Sequence, residues 1–191
     1  MRKKGNALFK RTVSLVMSLI FVLTLFPAVM PKSAAAGLNS LEGSGSADDP
    51  YKIQSKANWD TLADYVADGN DCENLFFKMT ADIGTSTDPV TKTMGVQTTS
   101  NDASSRKRFA GTFDGGSKTL YVNLTSAGAN KNYTAPFAYV KNVTIQNLTI
   151  AGTITTNGQF AGGLIGSSGN DTSDGVSTII NCHIKIGRAH V

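Results

Sequence analysis

The chain contains few of the residues that usually carry catalysis or bind metal ions. Its 191 residues include two Cys and two His. Cys72 and Cys182 are the only cysteines. The sequence has no HExxH motif and no Ser/His/Asp arrangement. We therefore expect no metal ion, no cofactor and no catalytic residue in this chain.

A strong excess of one charge is also missing once the N-terminal segment is set aside. Residues 1–36 hold six of the 18 Lys and Arg and none of the 14 Asp and Glu, so residues 37–191 carry 12 basic and 14 acidic side chains. The formal net charge of +4 therefore comes from the N-terminal segment. The cluster Arg106-Lys107-Arg108 is typical of a solvated loop. The composition predicts no nucleic-acid partner.

Residues 1–36 have the pattern of a secretory signal peptide. Basic residues precede the uncharged run "TVSLVMSLIFVLTLFPAV". Ala34 and Ala36 then supply the small side chains that a cleavage site requires. An uncleaved anchor helix is the alternative, because the apolar run is long for a signal peptide. The segment predicts a secreted or cell-surface protein that meets the membrane only through this leader.

The last residues, 186–191, read "IGRAHV". One reading frame of a common sequencing adapter encodes the same six residues. We interpret this segment as a sequencing artefact and expect the natural chain to differ after about residue 185. Arg188 and His190 are therefore assigned no function.

Residues 51–84 predict a small N-terminal α/β cap with one helix. Ser55 can cap the start of that helix, and Gly69 stands where its C-terminal cap belongs. Four apolar residues recur at the spacing of one helical face: Trp59, Leu62, Ala63 and Val66. Residues 37–50 are rich in Gly and Ser, which is typical of a linker, and residues 85–108 predict a long polar loop.

A degenerate repeat begins near residue 109. The segments "YVNLT", "IQNLT" and "IINCH" place three asparagines at equivalent positions: Asn123, Asn147 and Asn181. In "VTIQNLTI", the apolar alternation slips by one residue at Asn147, although no apolar residue is lost. Such a slip indicates a corner between two inward-facing strands, and Asn tolerates the backbone angles of a corner. We expect the asparagines of successive repeats to stack in a solenoid.

The same repeat indicates whether the two cysteines form a disulfide. A secreted chain permits a disulfide between Cys72 and Cys182. However, Cys182 takes the place of the inward Leu148 in the preceding copy. We therefore favour a buried free thiol that acts as a small apolar side chain.

The segment "QFAGGLIGSSGN" alternates bulky apolar residues with glycine. Phe160, Leu164 and Ile165 are predicted to supply the core of a coiled sheet. Three glycines are predicted to allow tight corners and close backbone approach: Gly162, Gly163 and Gly166. A flexible Gly-rich loop is the alternative.

The order of these pieces is similar to that in a known family. "FAGGLIG" followed by "STIINCHI" resembles the GLUG motif of bacterial secreted and surface proteins. "GSGSADDPYKIQS", "WDTLADYV", "FFKMTADI" and "FAGTFDGGSKTL" resemble the segment that usually opens such repeat regions. The resemblance covers most of residues 43–185. It implies an all-β solenoid, a right-handed parallel β-helix of the pectin-lyase type, over residues 109–185. "APFAYV" departs from the pattern, because a Gly-rich half-motif is expected there.

Some β-helices are polysaccharide lyases or hydrolases, which need paired or clustered acids. After Phe109 the acids are Asp114, Asp171 and Asp174. All three stand in turn-like sequences and are interpreted as structural. His183 aligns with the outward Thr149 and has no partner at a catalytic spacing.

Three hypotheses about function remain. The first is a non-catalytic scaffold for adhesion or display on a bacterial surface, with a glycan or a host or cell-surface protein as partner. The second is a carbohydrate-active β-helix enzyme whose catalytic residues lie beyond residue 185. The third is a spacer with no ligand.

Overall fold

The structure is a computed structural model that describes residues 37–97, 102–126, 133–156, 160–169 and 175–187. All of these residues belong to the second of the two units into which the chain divides, residues 32–191. The predicted signal peptide lies outside the described residues, as do Asp171, Asp174 and residues 188–191.

The described residues form one α-helix, one short 3-10 helix and twelve strands. The helices are α1 (Lys56–Ala67) and the 3-10 turn Ala103–Ser105. The strands are β1 (Tyr51–Ile53), β2 (Phe76–Met79), β3 (Val96–Gln97), β4 (Arg106–Lys107), β5 (Thr112–Ser126), β6 (Tyr133–Thr134), β7 (Phe137–Val140), β8 (Thr144–Thr156), β9 (Phe160–Ala161), β10 (Ile165–Ser168), β11 (Thr178–Ile180) and β12 (His183–Ile186).

The main sheet is parallel throughout. Its order is β1-β2-β5-β8-β11, and β12 also pairs with β8. Parallel neighbours cannot be joined by tight hairpins, so the chain leaves the sheet and returns between one strand and the next. Two smaller parallel pairs, β7 with β10 and β6 with β9, lie on those return paths, whereas β3 and β4 pair antiparallel. The predicted mostly β architecture with a parallel main sheet is confirmed.

The parallel register stacks apolar side chains of successive strands above one another. One inward row joins five residues: Tyr51, Phe77, Phe113, Ile145 and Ile179. The first four members are fully buried, but Ile179 is 53% exposed. A second inward row consists of Ile83, Leu120, Ile150 and Ile184. Each row gains its burial from the strand on either side, which explains why the last members are exposed.

Helix α1 closes one side of this core. Its N-cap is Ser55, whose Oγ accepts a hydrogen bond from the Asn58 N–H at 3.2 Å. The predicted apolar face is the buried one. The ring of Trp59 meets Phe113 and Phe137 edge-on, with centroids 5.9 and 5.7 Å apart. Gly69 follows the helix with a φ of +101°, so a glycine is required at this C-terminal position.

Two segments differ from their predicted roles as linker and polar loop. In residues 37–50, Leu38 and Leu41 are buried in the core. In the predicted polar loop, Val90 and Met94 are buried and form parallel bridges to Val122 and Phe137. These core residues stand singly among polar neighbours, so they produce no periodic signal in the sequence.

Candidate functional site

The outward face of the main sheet carries two rows of mostly polar side chains. One row runs across five strands: Lys52, Lys78, Asp114, Gln146 and Ile180. The neighbouring row consists of Phe76, Thr112, Thr144 and Thr178. Because adjacent strands are about 4.8 Å apart, these side chains form an array with a fixed repeat. We call the two rows together the outward face.

A groove of about 520 Å³ lies on this face. Phe76, Lys78 and Asp114 line it, and so do residues 47–50, which contribute two carboxylates. The segment that was predicted to be a linker therefore shapes this groove. We call it the sheet-face groove.

Hydrogen bonds hold Asp114 in a fixed position in this groove. Its Oδ1 accepts from the Gly116 N–H at 2.9 Å and from Asn147 Nδ2 at 3.1 Å. Its Oδ2 lies 3.8 Å from Lys78 Nζ. The Lys78 side chain is half exposed, so its ammonium group can still contact a ligand.

Lys52, the second lysine of the row, lines the groove but is paired with a carboxylate that does not. Lys52 Nζ donates to Glu42 Oε2 at 3.0 Å. This hydrogen bond is the main cause of the lowered pKa of Glu42. The site thus combines a positioned carboxylate, an accessible ammonium group, an amide and the ring of Phe76, a set that suits hydrogen bonding to a polar ligand.

The predicted asparagine stack contains two of the three expected members. Asn181 Nδ2 donates to Asn147 Oδ1 at 3.0 Å, and both residues have left-handed backbone angles, with φ of +49° and +52°. Asn123 does not belong to this stack, because it lies exposed within β5 and pairs with Thr153. The corner of β5 is instead formed at Asp114, where the register shifts before Lys118. The turn-like sequence "FDGGS" around Asp114 was the signal for that corner.

The Gly-rich segment contributes less core than predicted. Leu164 is buried, and Ile165 packs against the core. The expectation that Phe160 belongs to the core is wrong, because its side chain is 48% exposed. Its ring stacks instead on Tyr133, with centroids 4.9 Å apart and an interplanar angle of 10°.

The glycines of this segment are required by close contacts. A Cβ on Gly162 would lie 2.0 Å from the Ile165 carbonyl oxygen, and one on Gly166 would lie 2.7 Å from the Ala138 carbonyl oxygen. A Cβ on Gly163 would meet the side chain of Ile184 at 2.6 Å. None of the three has a left-handed φ, so close approach rather than a tight corner explains them.

The segment "APFAYV" lies directly beside the Gly-rich segment. Phe137 within it pairs with Ile165, and Thr134 just before it pairs with Ala161. The segment therefore occupies the position of the expected half-motif, with larger residues in place of glycines. All four residues of β7 are buried.

The remaining candidate residues are separate from one another. His183 pairs with Thr149 and is exposed. Cys72 and Cys182 form no disulfide; Cys72 is buried, whereas Cys182 is half-buried, and burial raises the pKa of the Cys182 thiol. Within the part of the chain that the structure describes, no three His, Cys, Asp or Glu residues group in a way that could hold a metal ion.

Sequence reasoning did not single out Lys52, Lys78, Phe76 or Gln146. Their alternation with buried neighbours marks them as outward, but only the register shows that they share one face.

Comparison of the chain with known protein families, with curated proteins and with solved structures found no match. Among the described residues, no helix is long and apolar enough to cross a membrane.

Proposed function

We propose that this protein is a secreted or cell-surface β-solenoid, a right-handed parallel β-helix, that serves adhesion or display on a bacterial surface. The observation that carries the proposal is the row of outward side chains across the parallel strands β1, β2, β5, β8 and β11. The resemblance to the GLUG motif supports the same interpretation.

The chemistry of the outward face favours a glycan or a surface protein as ligand. Thr112, Thr144 and Thr178 repeat a hydroxyl group on three neighbouring strands, β5, β8 and β11. Hydroxyl groups both donate and accept hydrogen bonds, so a repeated row can match a polymer with a repeated polar unit. The ring of Phe76 in the sheet-face groove can pack against the apolar side of such a unit.

The proposal can be tested by glycan-array and surface-protein binding with the purified full chain. We expect saturable binding that Lys78→Ala and Gln146→Ala each weaken, since both side chains line the sheet-face groove. Lys185→Ala is the matched control, because Lys185 is exposed on β12 and does not line that groove. Thermal melts should show that all three variants fold.

Three other outcomes would contradict the proposal. Binding to none of the glycans and proteins would favour the spacer hypothesis. Equal loss of binding in the Lys185→Ala control would remove the sheet-face groove as the binding surface. Release of new reducing ends from a polysaccharide would favour the alternative, a carbohydrate-active enzyme.

A further inference from the structure

A second groove, of about 330 Å³, lies beside α1 and has none of its lining residues in common with the sheet-face groove. Five of its lining side chains carry hydroxyl groups: Thr91, Thr93, Thr125, Tyr133 and Thr134. We call it the threonine groove. Leu124, Ala63 and Ala67 add apolar surface to it.

One of these hydroxyl groups lacks a partner. Thr134 is 3% exposed, and its Oγ1 has no hydrogen-bond partner among the described residues. A buried hydroxyl group without a partner is unfavourable. By contrast, the Thr93 hydroxyl donates to the Gly95 carbonyl at 3.2 Å. The Thr134 oxygen is itself fully buried, so the side chain must turn before a ligand in the groove can supply the missing hydrogen bond.

The charges in the threonine groove neutralise each other. Lys92 Nζ donates to both carboxylate oxygens of Asp64, at 2.7 Å each. These are the charged side chains that line the groove. A charged ligand would have to compete with this pair, so the groove favours a neutral ligand.

An aromatic ring is held rigidly at the edge of the groove. Tyr133 stacks on Phe160 and meets Tyr139 edge-on, with centroids 5.2 Å apart and an interplanar angle of 71°. Two aromatic contacts restrict the Tyr133 ring before any ligand binds. A restrained aromatic wall lowers the entropic cost of binding.

We propose that the threonine groove binds one ring of a neutral sugar. The hydroxyl groups match the hydroxyl groups of a sugar, the apolar surface matches its C–H face, and the volume lies at the lower end of the range for small-molecule sites. The proposal does not depend on adhesion through the outward face, because the two grooves share no residue.

Trp59, the only tryptophan of the chain, can serve as a fluorescence probe of this groove. The Trp59 Nε1–H donates to the carbonyl of Lys92 at 3.0 Å. Lys92 lines the threonine groove. Binding there should therefore change the fluorescence of Trp59.

The experiment is a fluorescence titration of the full chain with glucose, galactose, mannose and N-acetylglucosamine. Each sugar is tested free and as its methyl glycoside, which represents a ring within a glycan. We expect a saturable change with at least one of these sugars. Preference for the glycoside would assign the groove to a glycan residue, and preference for the free sugar would assign it to a monosaccharide.

Thr134→Val tests the unpartnered hydroxyl group directly. Valine has nearly the same shape, so the melting temperature should stay unchanged or rise, while sugar affinity should fall about fivefold. Thr125→Val is a second variant at an exposed position, where folding is not at risk, and should also weaken binding. Thr149→Val, on the outward side of β8, is the control and should bind normally.

Three results would overturn the proposal. The first is no saturable change with any of the sugars. The second is unchanged affinity in both Thr134→Val and Thr125→Val. The third is tighter binding of glucuronic acid or glucosamine than of the neutral sugars, which would exclude a neutral ligand.

Discussion

At the scale of single residues, Asn147 connects three strands through its side chain. It donates to Asp114, accepts from Asn181 and has a φ of +52°. We expect Asn147→Ala to lower the free energy of unfolding by about 1–3 kcal/mol, because the variant loses these hydrogen bonds. Alanine is also less favourable than asparagine at left-handed backbone angles, since it has no polar side chain to bond locally. Urea denaturation measures the effect.

Two control variants separate the causes. Asn147→Gly removes the hydrogen bonds but suits the backbone, so it should be less destabilising than Asn147→Ala. Asn123→Ala, within β5, should change stability by less than about 0.5 kcal/mol. Equal effects at Asn147 and Asn123 would contradict the role given to the corner.

A second residue-scale prediction concerns Gly162. A Cβ at this position would lie 2.0 Å from the Ile165 carbonyl oxygen, so the backbone of Gly162→Ala must move. We expect a loss of stability of about 1–3 kcal/mol in urea denaturation. Gly187→Ala is the matched control, because the nearest atom to its Cβ would be 3.9 Å away. A neutral Gly162→Ala variant would show that the close approach is not needed.

At the scale of elements, α1 depends on a reciprocal pair of hydrogen bonds at its start. Ser55 Oγ accepts from the Asn58 N–H, and Asn58 Oδ1 accepts from the Gln54 N–H at 3.1 Å. We expect Ser55→Ala to lower the free energy of unfolding by about 1 kcal/mol. Thr61→Ala should be neutral or slightly stabilising, since alanine favours the helix interior. A larger loss in Thr61→Ala than in Ser55→Ala would contradict this account of the helix start.

The success of sequence reasoning varied with the range of the interactions. The start and apolar face of α1 were predictable because Ser55 and its neighbours act within a few residues. The corner at Asn147 was predictable for the same reason, since the phase slip lies inside one short segment. The alignment of Asn123 failed because an Asp-Gly-Gly corner at Asp114 replaces asparagine in β5.

Features that depend on register or on distant partners could not be predicted in the same way. Val90 and Met94 become core residues only because strands far along the chain cover them. Phe160 is exposed because its stacking partner is Tyr133 rather than the core. Both grooves depend on which side chains from distant segments become neighbours, and a single sequence does not contain that information.

At the scale of the whole molecule, the two ends of the main sheet differ. At the first end, the Lys52 N–H donates to the Glu42 carbonyl at 2.8 Å, so residues beside β1 occupy part of its edge. The other end is formed by β11 and β12. Among the described strands, each of them pairs with β8 alone. Ile179 and Ile184 are exposed there by 53% and 45%. An open strand edge with apolar side chains promotes association between chains.

We therefore expect the full chain to associate as its concentration rises, as seen by sedimentation velocity. The double variant Ile179→Lys/Ile184→Lys should shift the distribution toward monomer, because charges on an open edge oppose strand pairing. The control Thr149→Lys/Thr153→Lys adds the same charge on the outward side of β8, one strand in from this edge. It should leave association unchanged.

The comparison of these two double variants decides between an edge effect and a general charge effect. If both variants reduce association equally, the added charge is responsible and the open edge is not. If the chain is monomeric at every concentration, the edge does not drive association at all. Since the first end is occupied beside β1, association through the exposed end should pair two copies edge to edge and stop at a dimer, whereas long fibres would show that the first end is also available.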